Sequence, residues 1–380
     1  MQKVFIIQDI IPNYREPFFR DLAKEIDLTV FYSKLSKSAK SKSFVQKDKF
    51  TDFKNVLIPS FSFRNRVYQF SFLKHILISR PSVVIAQNLG HLDMLLALIL
   101  CKLLSIDFYW WNGGIPYTKN DEMHSGFISK LFGNNDPRIL LSKFATGMLV
   151  YSNHAKNYFK NKGYNNRIIV APNSPDTNNF FKLKKKFSKS PDLLLDYKNK
   201  FSPNGEKIIL LLGRLDKTRR TNDLIKAFQI LRKDELSISL VIVGDGSEKE
   251  ANQKLVKKLG LKNVYFEGAI YEDELLSKYY MICDFFVTPG VCSMAIKISM
   301  LFGVPVITAD YGLEVHAVQH GVNGYVYQLG NYKKIAFHIK HLIKDQKIYS
   351  KISKNSVETI EKHININKMI KSFLMTTNIK

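Results

Sequence analysis

The stretch between residues 283 and 327 limits the fold most, because it reads as one strand–turn–helix–strand unit. Two short apolar runs flank a longer apolar segment, and Pro289-Gly290 breaks the chain after the first run. Elements in this order form one unit of a parallel α/β sheet. The predicted parts are a strand at Phe285–Thr288, a helix at Met294–Phe302 that Ser293 caps and Gly303 stops, and a strand at Val304–Thr308.

The Pro-Gly turn in this unit is the first candidate for a binding site. Because Gly290 has no side chain, a ligand can approach the backbone closely there. The amides of Cys292, Ser293 and Met294 lie at the predicted helix N-terminus, where unpaired N–H groups and the helix dipole favour an anion such as phosphate. An ordinary αβ loop without a ligand is the alternative from this turn alone.

The same alternation of apolar runs and helical segments occurs twice along the chain, which predicts an α/β protein with two doubly wound domains and a cleft between them. Ligands of such sheets sit beyond the carboxyl ends of the strands, so the loops at 9–15, 88–91 and 112–114 should share one edge. The predicted strands begin at Val4, Leu28, Val83, Phe108, Met148 and Ile168 in the first series, and at Lys207, Ser239, Val264 and Phe285 in the second.

The domain boundary is predicted from a change in composition. Pro172-Asn173-Ser174-Pro175 breaks the first series, and the charged segment Lys182–Lys189 resembles a linker. We therefore expect an N-terminal domain at residues 1–180 and a C-terminal domain at residues 181–360. Residues 361–380 are expected to form a C-terminal helix that packs back on the N-terminal domain.

The net charge of +24, from 57 Lys and Arg against 33 Asp and Glu, suggests an anionic partner. The candidates are a nucleic acid, a membrane surface or a phosphorylated substrate, and part of the excess also fits a lysine-rich composition. Three cysteines without a CxxC spacing favour a reducing compartment. No signal peptide is expected, and the longest apolar run, near residues 94–104, is too short to span a membrane and contains Lys102.

Two segments of the N-terminal half keep two interpretations each. Residues 33–49 carry six lysines among serines, which fits a solvated loop or a contact with anionic lipid or an acceptor phosphate. The aromatic residues between Phe61 and Phe72 alternate with Arg64 and Arg66, which fits a membrane interface or a core helix.

Taken in order, these segments resemble the retaining glycosyltransferases of the GT-B fold known as family 4. Each motif is weak by itself, and the ordered set covers nearly the whole chain. The matching segments are Asn13-Tyr14-Arg15 with Pro17 to Phe19, Val170 to Asn173 with Asp176, Gly213-Arg214-Leu215 with Arg219, Val241 to Gly246, Val264 to Gly268, Gly303 to Ile307, and Gly321 to Gly324.

The resemblance implies a C-terminal domain that binds a nucleoside-diphosphate sugar, UDP in preference to GDP, and an N-terminal domain that binds the acceptor. It implies no metal and no separate cofactor. The implied donor-binding residues are Gly213, Arg214, Arg219, Gly244, Ala269, Ile270, Gly290, Val291, Cys292, Ser293 and Met294. The implied acceptor residues are Asn13, Tyr14 and Arg15, and the implied catalytic residues are Arg214 and Arg219. Two further catalytic candidates have structural alternatives: Asn112 can bind donor or acceptor hydroxyls or simply form the turn before Gly-Gly, and His91 lies near the predicted cleft or caps its helix.

This sequence departs from the family pattern at its carboxylates. The family carries two glutamates eight positions apart, where Gly290 and Ile298 stand here, and a third where His316 stands, two residues after Glu314. Arg219 stands at the position where the family has a lysine. The resemblance still implies catalysis, because retention in this family is attributed to front-face departure, in which the leaving phosphate helps deprotonate the acceptor and no carboxylate nucleophile is needed.

Three functions follow as hypotheses. The first is a sugar transferase for surface polysaccharide or glycoconjugate synthesis, cytoplasmic and peripheral at the inner membrane face, with a glycan or lipid-linked acceptor. The second is a catalytically inactive GT-B scaffold, which the missing glutamates favour. The third, a nucleic-acid-binding protein, rests on charge alone and has no recognised module, so no nucleic acid partner is expected. A GT-B epimerase is a minor alternative.

Overall fold

The computed structural model describes residues 1–33, 50–63, 66–87, 92–112 and 141–377. The chain divides into two compact units. The first unit contains the residues up to Asp176 and the chain from Ile366 onward, and the second unit contains Thr177–Asn365.

In the described part of the first unit, seven parallel strands form one sheet in the order β3-β2-β1-β6-β7-β8-β9, and β4 and β5 form a separate antiparallel pair. The central strands are buried on both faces, which explains their continuous apolar sequences. The strands are β1 (Lys3–Ile7), β2 (Asp27–Tyr32), β3 (Asn55–Leu57), β4 (Phe61–Phe63), β5 (Arg66–Tyr68), β6 (Val83–Ala86), β7 (Asp107–Asn112), β8 (Gly147–Val150) and β9 (Arg167–Val170).

Four helices in the described part of the first unit lie between these strands and bury one apolar face each. They are α1 (Glu16–Leu22), α2 (Phe72–Ser79), α3 (Leu92–Leu103) and α4 (Asn153–Asn161), and a 3-10 turn at Asn13–Arg15 precedes α1. The aromatic segment that begins at Phe61 is therefore a hairpin of β4 and β5 followed by α2, so the core-helix interpretation is wrong up to Tyr68. Of the lysine-rich segment 33–49, all but Ser33 lies outside the described residues.

The second unit holds a six-stranded parallel sheet in the order β12-β11-β10-β13-β14-β15. The strands are β10 (Lys207–Leu212), β11 (Ile238–Val243), β12 (Val264–Gly268), β13 (Phe285–Thr288), β14 (Val306–Ala309) and β15 (Gly324–Tyr327). The helices are α5 (Thr177–Lys189), α6 (Leu195–Phe201), α7 (Thr221–Lys233), α8 (Lys249–Lys258), α9 (Asp273–Ile282), α10 (Ala295–Phe302), α11 (Tyr332–Lys344) and α12 (Gln346–His363). The predicted α/β class is confirmed in both units.

The helix α5 corrects the predicted linker at Lys182–Lys189. Phe180 and Phe187 stand seven residues apart, so they share one face of the helix, and both are buried. The lysines between them lie on the rest of the helix surface. Their high charge led to the prediction of a linker, although the segment has an apolar face. Residues 182–189 are thus the second half of a packed helix.

The C-terminal helix α13 (Ile366–Leu374) belongs to the first unit. Its Phe373 ring packs against Phe18 and Trp111, with ring centroids 4.8 Å apart in both pairs. Ser372 Oγ donates a hydrogen bond of 2.9 Å to the carbonyl oxygen of Val170. The helix therefore covers one face of the first sheet.

Candidate functional site

The candidate donor site lies where the central strands of the second sheet end. The loops after β10, β11 and β13 are joined by backbone hydrogen bonds, which hold them as one surface. Gly213 N–H donates to Val243 O at 3.0 Å, and Val291 N–H donates to Thr218 O at 2.9 Å. The loop after β12 joins them, because Gly244 N–H donates to Gly268 O at 2.6 Å.

Two glycines allow this close approach of backbones. A Cβ on Gly244 would lie 1.9 Å from the carbonyl oxygen of Gly213, and a Cβ on Gly290 would lie 2.0 Å from that of Thr218. Neither position accepts a side chain without a shift of the backbone. A side chain at Gly290, such as the family glutamate, would therefore clash with the turn at 217–219 in this backbone arrangement.

Arg219 is fixed at the junction of two of these loops. Its Nη1 donates a hydrogen bond of 2.5 Å to the carbonyl oxygen of Val291, and its Cζ lies 3.7 Å from the Cβ position of Gly213. The 3-10 turn Lys217–Arg219 that carries it is capped by Asp216, whose Oδ1 accepts from Thr218 N–H at 2.9 Å. The residue is half-buried, so part of its surface is open to solvent at this edge.

Arg214 stands in the same loop and pairs with Asp216. Its Nε lies 2.9 Å from Asp216 Oδ2, an ion pair without hydrogen-bond geometry, with both side chains partly exposed. Burial raises the pKa of Asp216, but the hydrogen bonds from Thr218 and the charges of Arg214 and Arg219 outweigh it, so the pKa is lowered. Arg214 and Arg219 thus lie near the same carboxylate, and their role at this edge stays a prediction.

The loop after β13 differs from its prediction in two ways. Ser293 does not cap the helix, because the N-cap is Met294 and no side chain accepts a bond there. The amide of Cys292 is paired, since it donates to the carbonyl oxygen of Tyr311 at 3.2 Å. Burial raises the pKa of the Cys292 thiol to about 12, so it is neutral at pH 7. The predicted set of three unpaired amides is therefore wrong at Cys292.

A buried ion pair joins Lys297 of α10 to Glu314 of the 3-10 turn Leu313–Ala317. Their side chains are 5% and 11% exposed, so the pair is almost out of contact with water. Glu314 also acts electrostatically on Cys292, which places the pair beside the loop after β13. Sequence reasoning missed it, although a lysine inside the apolar helix sequence AIKISMLF was an available signal.

The remaining predicted donor residues lie in the neighbouring loop. Ala269 and Ile270 directly follow β12; Ala269 is exposed and Ile270 is half-buried. In the described ranges, no group of three or more His, Cys, Asp or Glu side chains is placed to hold a metal ion. The donor residues predicted from the sequence thus share the carboxyl edge of the second sheet.

The predicted acceptor residues lie at the corresponding edge of the first sheet. Asn13, Tyr14 and Arg15 form the 3-10 turn after β1, and Arg15 is buried there. Asn112 ends β7 and pairs with Val150, and only its backbone is described. His91 lies outside the described residues.

Most of the second unit matches a known protein family. Residues 196–359 match the family of glycosyl transferases group 1. N-acetyl-alpha-D-glucosaminyl L-malate synthase of Bacillus anthracis is 25% identical over 172 residues, 44% of each chain. An N-acetylgalactosaminyltransferase of Campylobacter jejuni, whose name gives a diphospho-undecaprenol substrate, is 28% identical over 213 residues, 50% of this chain and 53% of that one. The chain thus spans about half the length of these relatives.

Solved structures match over the whole chain. Anabaena HepE in complex with UDP has a TM-score of 0.73 and 17% identity, with 99% of both chains covered. A glycosyltransferase from Rickettsia africae has a TM-score of 0.72 and 13% identity, with 100% of this chain and 99% of that one covered. These likenesses show the fold. The chain therefore has the GT-B fold, and its residues 196–359 match the model of the glycosyl transferases group 1.

Proposed function

We propose that this protein is a retaining glycosyltransferase of the family 4 type, which moves a sugar from a nucleoside-diphosphate sugar to a glycan acceptor. The observation that carries the proposal is Arg219, fixed between the loops after β10 and β13, with Arg214 in the same loop. Arginine suits diphosphate because its planar fork binds two oxygens at once. The likeness to a UDP complex of HepE supports a UDP sugar rather than a GDP sugar.

In the proposed reaction the bond between sugar C1 and the diphosphate oxygen breaks, and a bond from C1 to the acceptor oxygen forms on the same face. The acceptor proton passes to the departing phosphate, so the products are a glycoside and a nucleoside diphosphate. The donor is a substrate, and the reaction uses no separate cofactor. The protein supplies positioning and stabilises the negative charge on the departing diphosphate, which is the task of Arg214 and Arg219.

Nucleotide binding to the full chain tests this proposal. We expect UDP to raise the free energy of unfolding by about 2.7 kcal/mol at a hundred times its dissociation constant. GDP, dTDP and CMP at the same concentration should give a smaller increase. The measurement is thermal unfolding with each nucleotide, with and without magnesium. If no nucleotide stabilises the chain, the hypothesis of an inactive scaffold replaces that of an enzyme. The physical reason would be that Gly290 and Ile298 stand where the family has the glutamates that contact the donor.

We further propose that the acceptor is lipid-linked, that the protein serves surface polysaccharide or glycoconjugate synthesis, and that it binds the inner face of the cell membrane. Among the described residues, none of the helices has the length and apolar composition needed to cross a bilayer. The support is an exposed apolar stripe on one face of α3. The acidic residue of this helix, Asp93, is buried and so puts no negative charge on the stripe. The stripe consists of Leu92 (54% exposed), Leu96 (38%), Ile99 (47%) and Leu103 (77%).

Vesicle binding tests the stripe. We expect the protein to bind vesicles that contain phosphatidylglycerol, and Leu96→Ser with Ile99→Ser to weaken binding by at least about tenfold, because each inserted side chain contributes roughly 1.5–3 kcal/mol. Val322→Ser, which removes an exposed apolar side chain of the second unit, is the control. Equal binding by the double variant and the wild type in a flotation assay would show that α3 is not the docking face.

A further inference from the structure

The first unit contains a buried arginine whose partners carry no formal charge. Arg15 is 5% exposed, and its guanidinium carbon lies 4.2 Å from the ring centroid of Trp111. Its Nη2 donates to the hydroxyl of Tyr151 at 2.5 Å, and its Nη1 donates to Gln8 Oε1 at 3.4 Å. An indole ring, a phenol and an amide surround the cation.

No carboxylate among the described residues forms an ion pair with Arg15. Desolvation opposes its charge, and the neighbours that favour the charge are Tyr14 and Tyr151. A buried cation is costly unless an opposite charge accompanies it. Cation–π contact with Trp111 offsets part of this cost and supplies no negative charge. The environment of Arg15 is therefore short of an anion.

Three N–H groups around this guanidinium point to the same shortage. Arg15 Nε, Gln8 Nε2 and Trp111 Nε1 are buried, and none has an acceptor among the described residues. The assignment at Gln8 follows from its neighbour, because an arginine N–H can only meet the amide oxygen, which leaves the amide nitrogen as a donor. Buried donors normally have acceptors, so three in one place require an explanation.

These groups come from elements that meet at the carboxyl edge of the first sheet. Gln8 follows β1, Trp111 lies near the end of β7, and Tyr151 follows β8. Ligands of parallel sheets bind beyond this edge. One positive charge and three neighbouring donors without acceptors are complementary to a group with several negatively charged oxygens.

We propose that Arg15, Gln8 and Trp111 form an oxyanion site in the first unit, which binds a carboxylate or phosphate group of the acceptor. The assignment of this group to the acceptor rests on the proposed glycosyltransferase function, whereas the binding of an oxyanion does not. The acceptor predicted by this site is an acidic or phosphate-linked glycan, because a neutral sugar could accept hydrogen bonds from the donors but would leave the charge of Arg15 without a counter-charge.

The test uses thermal unfolding of the full chain in inorganic phosphate, pyrophosphate or glucuronate, each against chloride at equal ionic strength. Chloride controls for general anion binding to a chain of net charge +24. We expect one of the oxyanions to raise Tm by roughly 5 °C near saturation. Phosphate or pyrophosphate as the better ligand would indicate a phosphate-linked acceptor, and glucuronate would indicate an acidic sugar.

Gln8→Glu is the decisive variant because it is nearly isosteric and places a carboxylate beside Arg15. This internal anion should satisfy the guanidinium and abolish the response to added oxyanions. Trp111→Phe keeps an aromatic ring, removes one donor and should weaken binding about tenfold, as expected for one hydrogen bond to a charged group. Arg20→Gln is the matched control, since Arg20 stands on α1 next to Asp21 and is partly exposed.

Arg219→Ala separates this site from the donor site of the second unit, and it should keep the full oxyanion response. A response that is lost in Arg219→Ala and kept in Gln8→Glu would overturn the proposal, as would a wild type that responds equally to chloride. UDP stabilisation in Gln8→Glu distinguishes the two proposals. If UDP binding persists there and no oxyanion binds the wild type, only the oxyanion site fails.

Discussion

Lys297→Met is expected to destabilise the second unit by about 3–5 kcal/mol, the largest effect on stability that we predict. The substitution removes the charge that pairs with Glu314, whose side chain is 11% exposed. A buried carboxylate that loses its cation keeps the cost of desolvation and loses the attraction that offset it. Urea unfolding at pH 7, followed by circular dichroism, measures the change.

The matched control is the double variant Lys297→Met with Glu314→Leu. Replacing both charges by apolar groups of similar size should recover most of the lost stability, because a buried ion pair is often worth no more than an apolar pair. The double-mutant cycle then gives a coupling energy of about 2 kcal/mol or more. A loss of stability in the double variant equal to the sum of the losses in the two single variants would show that the pair is not coupled.

The consequence for the site follows from the chain around Glu314. The carbonyl oxygen of Tyr311 holds the amide of Cys292, and Tyr311 lies three residues before Glu314. The ion pair therefore ties the segment after β14 to α10 and keeps the loop after β13 in place. We expect the double variant to retain nucleotide binding if packing alone holds this loop.

Arg219→Ala is expected to lower kcat/KM by 10²–10³, about 2.7–4 kcal/mol of transition-state stabilisation. The physical reason is that, in the proposed reaction, the departing diphosphate gains negative charge that this guanidinium would stabilise. The guanidinium is held in advance by the carbonyl oxygen of Val291, so no reorganisation is needed during the reaction. Initial rates with a UDP sugar and released UDP as the readout measure the effect, once the nucleotide panel has identified the donor.

Two further variants show whether the effect is specific to Arg219 and whether it needs the planar guanidinium. Lys217→Ala removes an exposed charge from the same turn and should change the rate by less than about fivefold, because such a charge contributes at most ~1 kcal/mol. Arg219→Lys keeps the charge and loses the planar fork, so an intermediate rate is expected. Turnover of Arg219→Ala close to that of the wild type would remove this arginine from the mechanism.

Much of the fold could be predicted from local sequence. The strand at Phe285–Thr288 was predicted with the bounds that the structure shows. Continuous apolar runs between Gly and Pro are typical of buried parallel strands, and apolar spacing of three and four is typical of helices. The prediction was wrong at Lys182–Lys189, where only two aromatic residues mark the packed face.

The candidate site was predictable only in part. Arg214 and Arg219 were identified because they follow a buried strand in a motif of known type. The pairing of Cys292 with Tyr311 was not, because nothing near Cys292 in the sequence shows which carbonyl will face its amide. The backbone contact that excludes a side chain at Gly290 also comes from a loop about seventy residues earlier in the chain.

The sequence by itself determined the alternation of most strands and helices and the sheet edges at which the candidate residues lie. Periodic apolar residues and chain-breaking Gly and Pro act over a few positions, so they can be read locally. Only the tertiary structure decided that Lys297 has a carboxylate partner and that Arg15 has none among the described residues. The reason is physical: desolvation depends on everything that packs around a charge, including residues such as Tyr151 that lie far from Arg15 in the sequence.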